Sequence, residues 1–181
     1  MANKDRTFLC LFVRGDKSAG PSRQQLGPAA FHWSILIAPK VQSLRDCTAF
    51  DVSDGNRLSA GGNNTIINVG QEWYFRTRLV DPTRSLSMLA QIMVGKVPKG
   101  VTREAIGRAL EAISIPRKHA NPEENCVSWT IEALVTLQAM GAVESTIDMH
   151  ALEEYALTQA DERLRVGVAK EIKSNFTNRK M

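Results

Sequence analysis

Phe31-His32-Trp33-Ser34-Ile35-Leu36-Ile37-Ala38 is the stretch from which the rest of the chain can be ordered. Aromatic and β-branched residues dominate it and Pro39 stops it, so it reads as a β-strand. Side chains alternate along a strand. Phe31, Trp33, Ile35 and Ile37 therefore share one face, and His32, Ser34 and Leu36 take the other. A second run, Cys47 to Ser53, ends in the turn Asp54-Gly55-Asn56. Phe50 and Val52 share one of its faces; Ala49, Asp51 and Ser53 share the opposite one. A hairpin across Pro39 to Asp46 sets Ser53 opposite His32 and Asp51 opposite Ser34. Asp51 then becomes a diagonal neighbour of His32, within side-chain reach.

Further apolar runs flank this pair. Thr7 to Val13 is continuous enough for a strand buried on both faces. Thr65 to Val69, Trp73 to Val80 and Leu89 to Val97 complete a strand-rich part, 7–97. Two glycine-rich polar stretches, Arg14 to Ala29 and Asn56 to Asn64, read as long loops and candidate substrate walls, the first as a candidate lid. A helical part, 101–174, follows. Thr102 caps a helix with Ile106, Leu110 and Ile113 as its apolar stripe, and Pro116 breaks it. Asn125 caps a second helix that runs to Met140 and ends at Gly141. A third starts near His150, reaches about Leu164 and continues in some form to Ile172. Asn175 to Met181 should fray. Strands precede helices with little alternation, which predicts an α+β fold: a mainly antiparallel sheet packed against helices, in a single domain, 1–181.

Composition narrows the function classes. The 181 residues are 43% hydrophobic and 23% charged, ordinary for one domain with a full core. The net charge of +4 comes from scattered basic residues with no aromatic-interleaved stripe, so a nucleic-acid partner is not expected. No run approaches the roughly 18 apolar residues of a membrane span, and no signal-peptide core is visible. The expected location is cytoplasmic, where thiols stay reduced. Three cysteines, Cys10, Cys47 and Cys126, have no paired spacing for a disulfide framework or zinc knuckle. No metal-ligand cluster or phosphate-cradling loop is present, so neither metal nor cofactor is expected.

The chemistry-bearing feature is Asn125-Cys126-Val127-Ser128-Trp129, a thiol in the first turn of a helix. The positive helix end and its free amides favour a thiolate and offer an oxyanion site. Glu123 and Glu124 oppose thiolate formation electrostatically. His32 is the candidate base, with Asp51 fixing its tautomer. His119, in the loop before the helix, is a rival base, and His150 reads as a surface residue. The plainer alternatives are a half-buried strand histidine, a strand-end aspartate and a small buried cysteine.

The His-Trp strand and the Asn-Cys-x-x-Trp helix start together resemble the permuted branch of the papain-like superfamily. That branch holds the lecithin:retinol-acyltransferase-like, deSUMOylating-isopeptidase-like and NlpC-type groups. With Gly95-Lys96-Val97 added, the chain also looks like a set of short proteins of filamentous fungi. The resemblance spans roughly residues 7 to 140 and implies a circularly permuted papain-like (NlpC-type) architecture. By position it makes Cys126 the nucleophile and His32 the base. Asp51 falls where the acyltransferase-like group usually has a second histidine, a departure at the third role. Trp33, Ser34, Asn125 and Trp129 are the expected substrate contacts.

The implied function is a cysteine-dependent hydrolase or acyltransferase acting on an ester, thioester or amide carbonyl of a small-molecule or peptide substrate. The alternatives are a non-catalytic binding module of the same fold, or an acyl-transfer or cyclisation enzyme of fungal small-molecule biosynthesis. Neither the acyl acceptor nor the oligomeric state is written in the sequence.

Overall fold

In a computed structural model the described residues are 4–42, 46–57, 67–167 and 172–181. The strands are β1 (Arg6–Val13), β2 (Phe31–Ala38), β3 (Cys47–Ser53), β4 (Tyr74–Val80), β5 (Met88–Lys96) and β6 (Lys173–Asn175). The helices are α1 (Gly20–Leu26), α2 (Arg103–Glu111), α3 (Cys126–Ala139) and α4 (Met149–Val166). The strands form one open sheet in the order β4-β3-β2-β1-β5-β6, antiparallel except where β6 runs parallel to β5. The α+β expectation is met. Among the described residues, no helix is long and apolar enough to cross a membrane.

Strand alternation divides the sheet into two unlike faces. Leu9 and Leu11, the Phe31-Trp33-Ile35-Ile37 set, Phe50 and Val52 point to the main core. There they meet Ile106 and Leu110 of α2, the apolar side of α3, and Leu152, Ala156 and Ala160 of α4. The opposite face carries a smaller cluster built on Phe8, Cys10, Leu36, Ala49, Met88 and Met93, to which no residue of α2, α3 or α4 belongs. β2 is thus buried from both sides while its first polar residue, His32, stays partly open.

Local sequence explains where the helices start. The Thr102 hydroxyl accepts from the Ala105 N–H, and Asp148 caps α4 by accepting from Ala151 at 2.8 Å. Asn125 forms a reciprocal capping box with Ser128: its side chain accepts from Val127 and Ser128, while its own N–H donates to the Ser128 hydroxyl at 3.0 Å. Gly141 and Gly167 follow α3 and α4 at φ 72 and 68, the left-handed region that ends helices.

Three expectations are corrected. Arg14 to Ala29 is not a plain loop. It holds a 3-10 turn at Gly15–Ser18, then α1, opened by Pro21, then a second 3-10 turn at Gly27–Ala30. Arg14 donates to the Ala29 carbonyl at 2.9 Å, Ser18 to that of Ala30 at 2.6 Å, and Arg23 pairs with Asp161 of α4. The third helix runs to Val166, close to the expected Leu164, and the continuation expected towards Ile172 falls on 168–171, outside the described residues. The C-terminal stretch is not merely frayed: Gln91 N–H donates to Ile172 at 2.7 Å, Phe176 N–H to Met93 at 3.0 Å, and Phe176 packs on Tyr155. Of the strand expected over Thr65 to Val69, Ile67 to Val69 are turn and coil, and Thr65 and Ile66 lie outside the described residues, as does most of Asn56 to Asn64.

Gly95 shows why the Gly-Lys-Val strand end needs its glycine. The chain leaving α3 crosses β5 here, with the Glu144 N–H donating to the Val94 carbonyl. A Cβ on Gly95 would meet the Ala142 carbonyl oxygen and would lie 2.8 Å from Val143 Cα, both backbone atoms that cannot swing aside. Gly95→Ala should therefore destabilise the fold by about 1–3 kcal/mol through overpacking. Urea unfolding checks this; a wild-type midpoint would mean that the crossing relaxes without cost.

Candidate active site

β3 and β4 pair with Asp51 directly opposite Arg76 and Ala49 opposite Arg78. β2 and β3 pair through Ile35↔Phe50, Leu36↔Ala49 and Ile37↔Thr48, the register expected from alternation. Followed towards the start of β2, that register sets Ser34 across from Asp51 and makes His32 its diagonal neighbour. The side chains close the gap: His32 Nε2 lies 2.9 Å from Asp51 Oδ2. Asp51 also accepts from Arg76 Nε at 2.7 Å, Arg76 Nη2 at 2.9 Å and Arg78 Nη2 at 2.8 Å.

Asp51 has no exposed surface. Burial alone would push its carboxyl up, but hydrogen bonds and charge from His32 and Arg76 overcome this and hold it at about 2. It is a permanent carboxylate at neutral pH, an anchor for His32 rather than a proton carrier. His32 moves the opposite way. Burial disfavours its imidazolium, yet Asp51 and then Cys126, through hydrogen bonding and charge, raise it to about 9. With Nε2 committed to Asp51, Nδ1 is the ring nitrogen left for the thiol. His32 is thus hydrogen-bonded to Asp51, and Cys126 adds to its raised affinity for the proton.

Cys126 is the first residue of α3, fully buried, with Sγ 3.8 Å from the Phe31 carbonyl oxygen. The start of α3 is less open than expected. Asn125 takes the N–H groups of Val127 and Ser128 on its side chain and that of Trp129 on its carbonyl. Among the described residues, the first-turn amide left without a partner is that of Cys126 itself, so the expected set of oxyanion donors shrinks to one. Glu124, expected to oppose a thiolate, spends its charge on Arg117 at 2.5 Å.

The other titrating candidates separate cleanly. Burial raises Cys10, and burial together with a hydrogen bond to Asp46 pushes Cys47 up to about 12. His119 lies in a different cleft, with Trp73 and Lys118. His150 is exposed, 3.7 Å from Glu154.

The expected substrate contacts fare unevenly. Trp33 is wholly in the core, its indole N–H donating to the Pro28 carbonyl at 3.0 Å. Trp129 is 2% exposed and packs against Phe75, so it too is a packing residue, and Asn125 is the helix cap. Ser34 is buried against the Phe50 carbonyl, but it lines, with His32, a cavity on the face away from α3. Cys126 does not line that cavity.

Arg76 and Arg78 were missed as members of the site. Their signal was available: Arg76-Thr77-Arg78 alternates, and pairing Trp73 to Val80 against the Asp51 strand puts both guanidiniums on the Asp51 face.

Residues 4–169 match the Family of unknown function (DUF6914), and the chain belongs to that family. No curated protein and no solved structure matches it.

The two opposed shifts fix how stability varies with pH. Asp51, lowered from 3.8 to about 2, stabilises the fold above pH 3.8, and this contribution disappears as pH falls through 2. His32, raised from 6.5 to about 9, stabilises it fully below pH 6.5, a contribution lost as pH rises through 9. Thermal midpoints should therefore fall between pH 6.5 and 9, with a shallower slope in His32→Gln; identical slopes would contradict the Asp51 pairing. Asp51→Asn leaves two guanidiniums without their counter-ion and should cost about 3–5 kcal/mol in chemical denaturation.

Proposed function

We propose that the protein is a cysteine-dependent hydrolase or acyltransferase acting on an ester, thioester or amide carbonyl. The observation that carries this reading is the His32–Asp51 hydrogen bond across β2 and β3, with Cys126 at the capped start of the helix that packs on both strands. His32 Nδ1 takes the proton from Sγ, Asp51 holds the resulting imidazolium, and the thiolate attacks the carbonyl carbon. The Cys126 N–H donates to the developing oxyanion. Collapse of the tetrahedral adduct expels the leaving group, protonated by His32, and leaves an acyl group on Sγ. Water or an amine then attacks with His32 again as base, which restores the thiol. Support for a permuted papain-like arrangement comes from its parts: a histidine strand, a neighbouring strand with the orienting carboxylate, and a cysteine helix packed on both. An acyl-transfer or cyclisation step of fungal small-molecule biosynthesis differs only in the acceptor and would use the same residues.

A second reading, a non-catalytic binding module, is favoured by one observation: Cys126 has no exposed surface and does not line the cavity that His32 enters. Brief iodoacetamide treatment of the folded protein, followed by intact-mass and peptide analysis, separates the two. The enzyme reading predicts alkylation at Cys126 ahead of Cys10 and Cys47, abolished in His32→Ala. Equal labelling of all three thiols, or a silent Cys126, selects the binding module.

A further inference from the structure

We propose that the cavity on the sheet face away from α2, α3 and α4 is a binding site for an organic monocarboxylate with an apolar body. The cavity measures about 560 Å³, within the range of sites for organic ligands of moderate size. Phe12, Leu36, Ala49, Val80 and Met88 supply its apolar lining. Three of these, Leu36, Ala49 and Met88, are already buried members of the smaller core cluster, so the lining is rigid sheet rather than loose surface. An apolar ligand body placed there removes this surface from water without reordering the fold.

The charged side of the cavity selects the headgroup. Arg76, Arg78 and Arg84 all line it, together with Asp81, and Asp51 lies behind the first two. Three guanidiniums and the His32 imidazolium against two carboxylates leave the site cationic. Arg76 has its Nε and one terminal nitrogen on Asp51. Arg78 gives Asp51 a single nitrogen and stays half exposed, so most of its donors remain available. Arg84 forms no ion pair among the described residues and is exposed at the rim. Asp81 turns one oxygen towards the Thr83 N–H and hydroxyl, which holds it as a cap rather than as a partner for Arg84. A cationic wall of planar forks, each able to offer parallel N–H groups, opposite an apolar lining fits a carboxylate carried on an apolar body. Leu86, fully exposed between the cavity residues Ser85 and Ser87, sets an apolar side chain beside the entrance.

The site does not depend on thiol chemistry, since Cys126 lies outside it, and so it goes beyond the enzymatic reading. Calorimetric titration of the full chain with octanoate, 1-octanol and acetate tests it. Octanoate should bind saturably with one-to-one stoichiometry, about tenfold tighter than octanol, as a charge-assisted contact requires, and acetate should not bind measurably. Arg84→Gln, an exposed change that spares the fold, should remove most of that preference and leave octanol binding unchanged. Cys126→Ser should keep full octanoate affinity. Octanoate binding no tighter than octanol, wild-type affinity in Arg84→Gln, or loss of affinity in Cys126→Ser would each overturn the proposal. A silent Cys126 in the alkylation experiment would leave it standing.

Discussion

A carboxylate without solvent, in the middle of a sheet, is the constraint around which this molecule is arranged. Asp51 can stay ionised there only because three neighbouring cationic groups reach it, one from β2 and two from β4. The desolvation of a lone carboxylate would cost several kcal/mol, so each partner is obligatory once Asp51 is in place. The consequence is geometric. β2, β3 and β4 must hold a register that brings positions 32, 51, 76 and 78 to one face, because a slip of one residue would turn the aspartate towards the apolar core.

The same interaction shapes His32. A histidine half-enclosed by Phe12 and the sheet would ordinarily lose its proton near neutrality, but the buried anion beside it reverses that tendency. Two arginines also draw on Asp51, so its charge is shared. They fix the carboxylate in position and in return limit its pull on the imidazole. The capping box at Asn125 acts comparably on the sulfur's side: it secures the first turn of α3 while occupying amides that would otherwise be free for an oxyanion. At both ends of the His32–Cys126 pair, the interactions that give precision also consume hydrogen-bonding capacity.

Alternation and capping made much of this legible from residues alone. The two-fold period of Phe31 to Ala38 and the matching run through Asp51 bring the imidazole and carboxylate to one face, and the Asn125 cap puts the thiol in the first turn of α3. Such signals are local, and the hydrogen-bonding pattern of a strand or a cap is set by residues next to one another. α1 escaped because Gly20 and Pro21 read as breakers, while Pro21 in fact occupies a first-turn position where its missing N–H costs nothing. β6 escaped because three polar residues carry no periodicity; it exists only by pairing with distant β5. The tryptophans were misjudged for the same reason: their neighbours in sequence are site residues, but their neighbours in space are the core.

His32 stands at a boundary that sequence could not display. Cys126, which adds to its raised affinity for the proton, belongs to the core on the helix side, while the ring lines the cavity on the opposite face. The sheet itself separates these two regions. The segment leading into β2, from the 3-10 turn at Gly15, ends in the Gly27–Ala30 turn, which packs on α3. It is fastened by Arg14 to Asp54 at 3.8 Å, by Arg23 to Asp161, and by a few hydrogen bonds at its own ends. Exposed ion pairs of that kind contribute about 0–1 kcal/mol each. The three cations on Asp51 therefore hold the β2–β3–β4 register more firmly than these pairs hold the segment before β2.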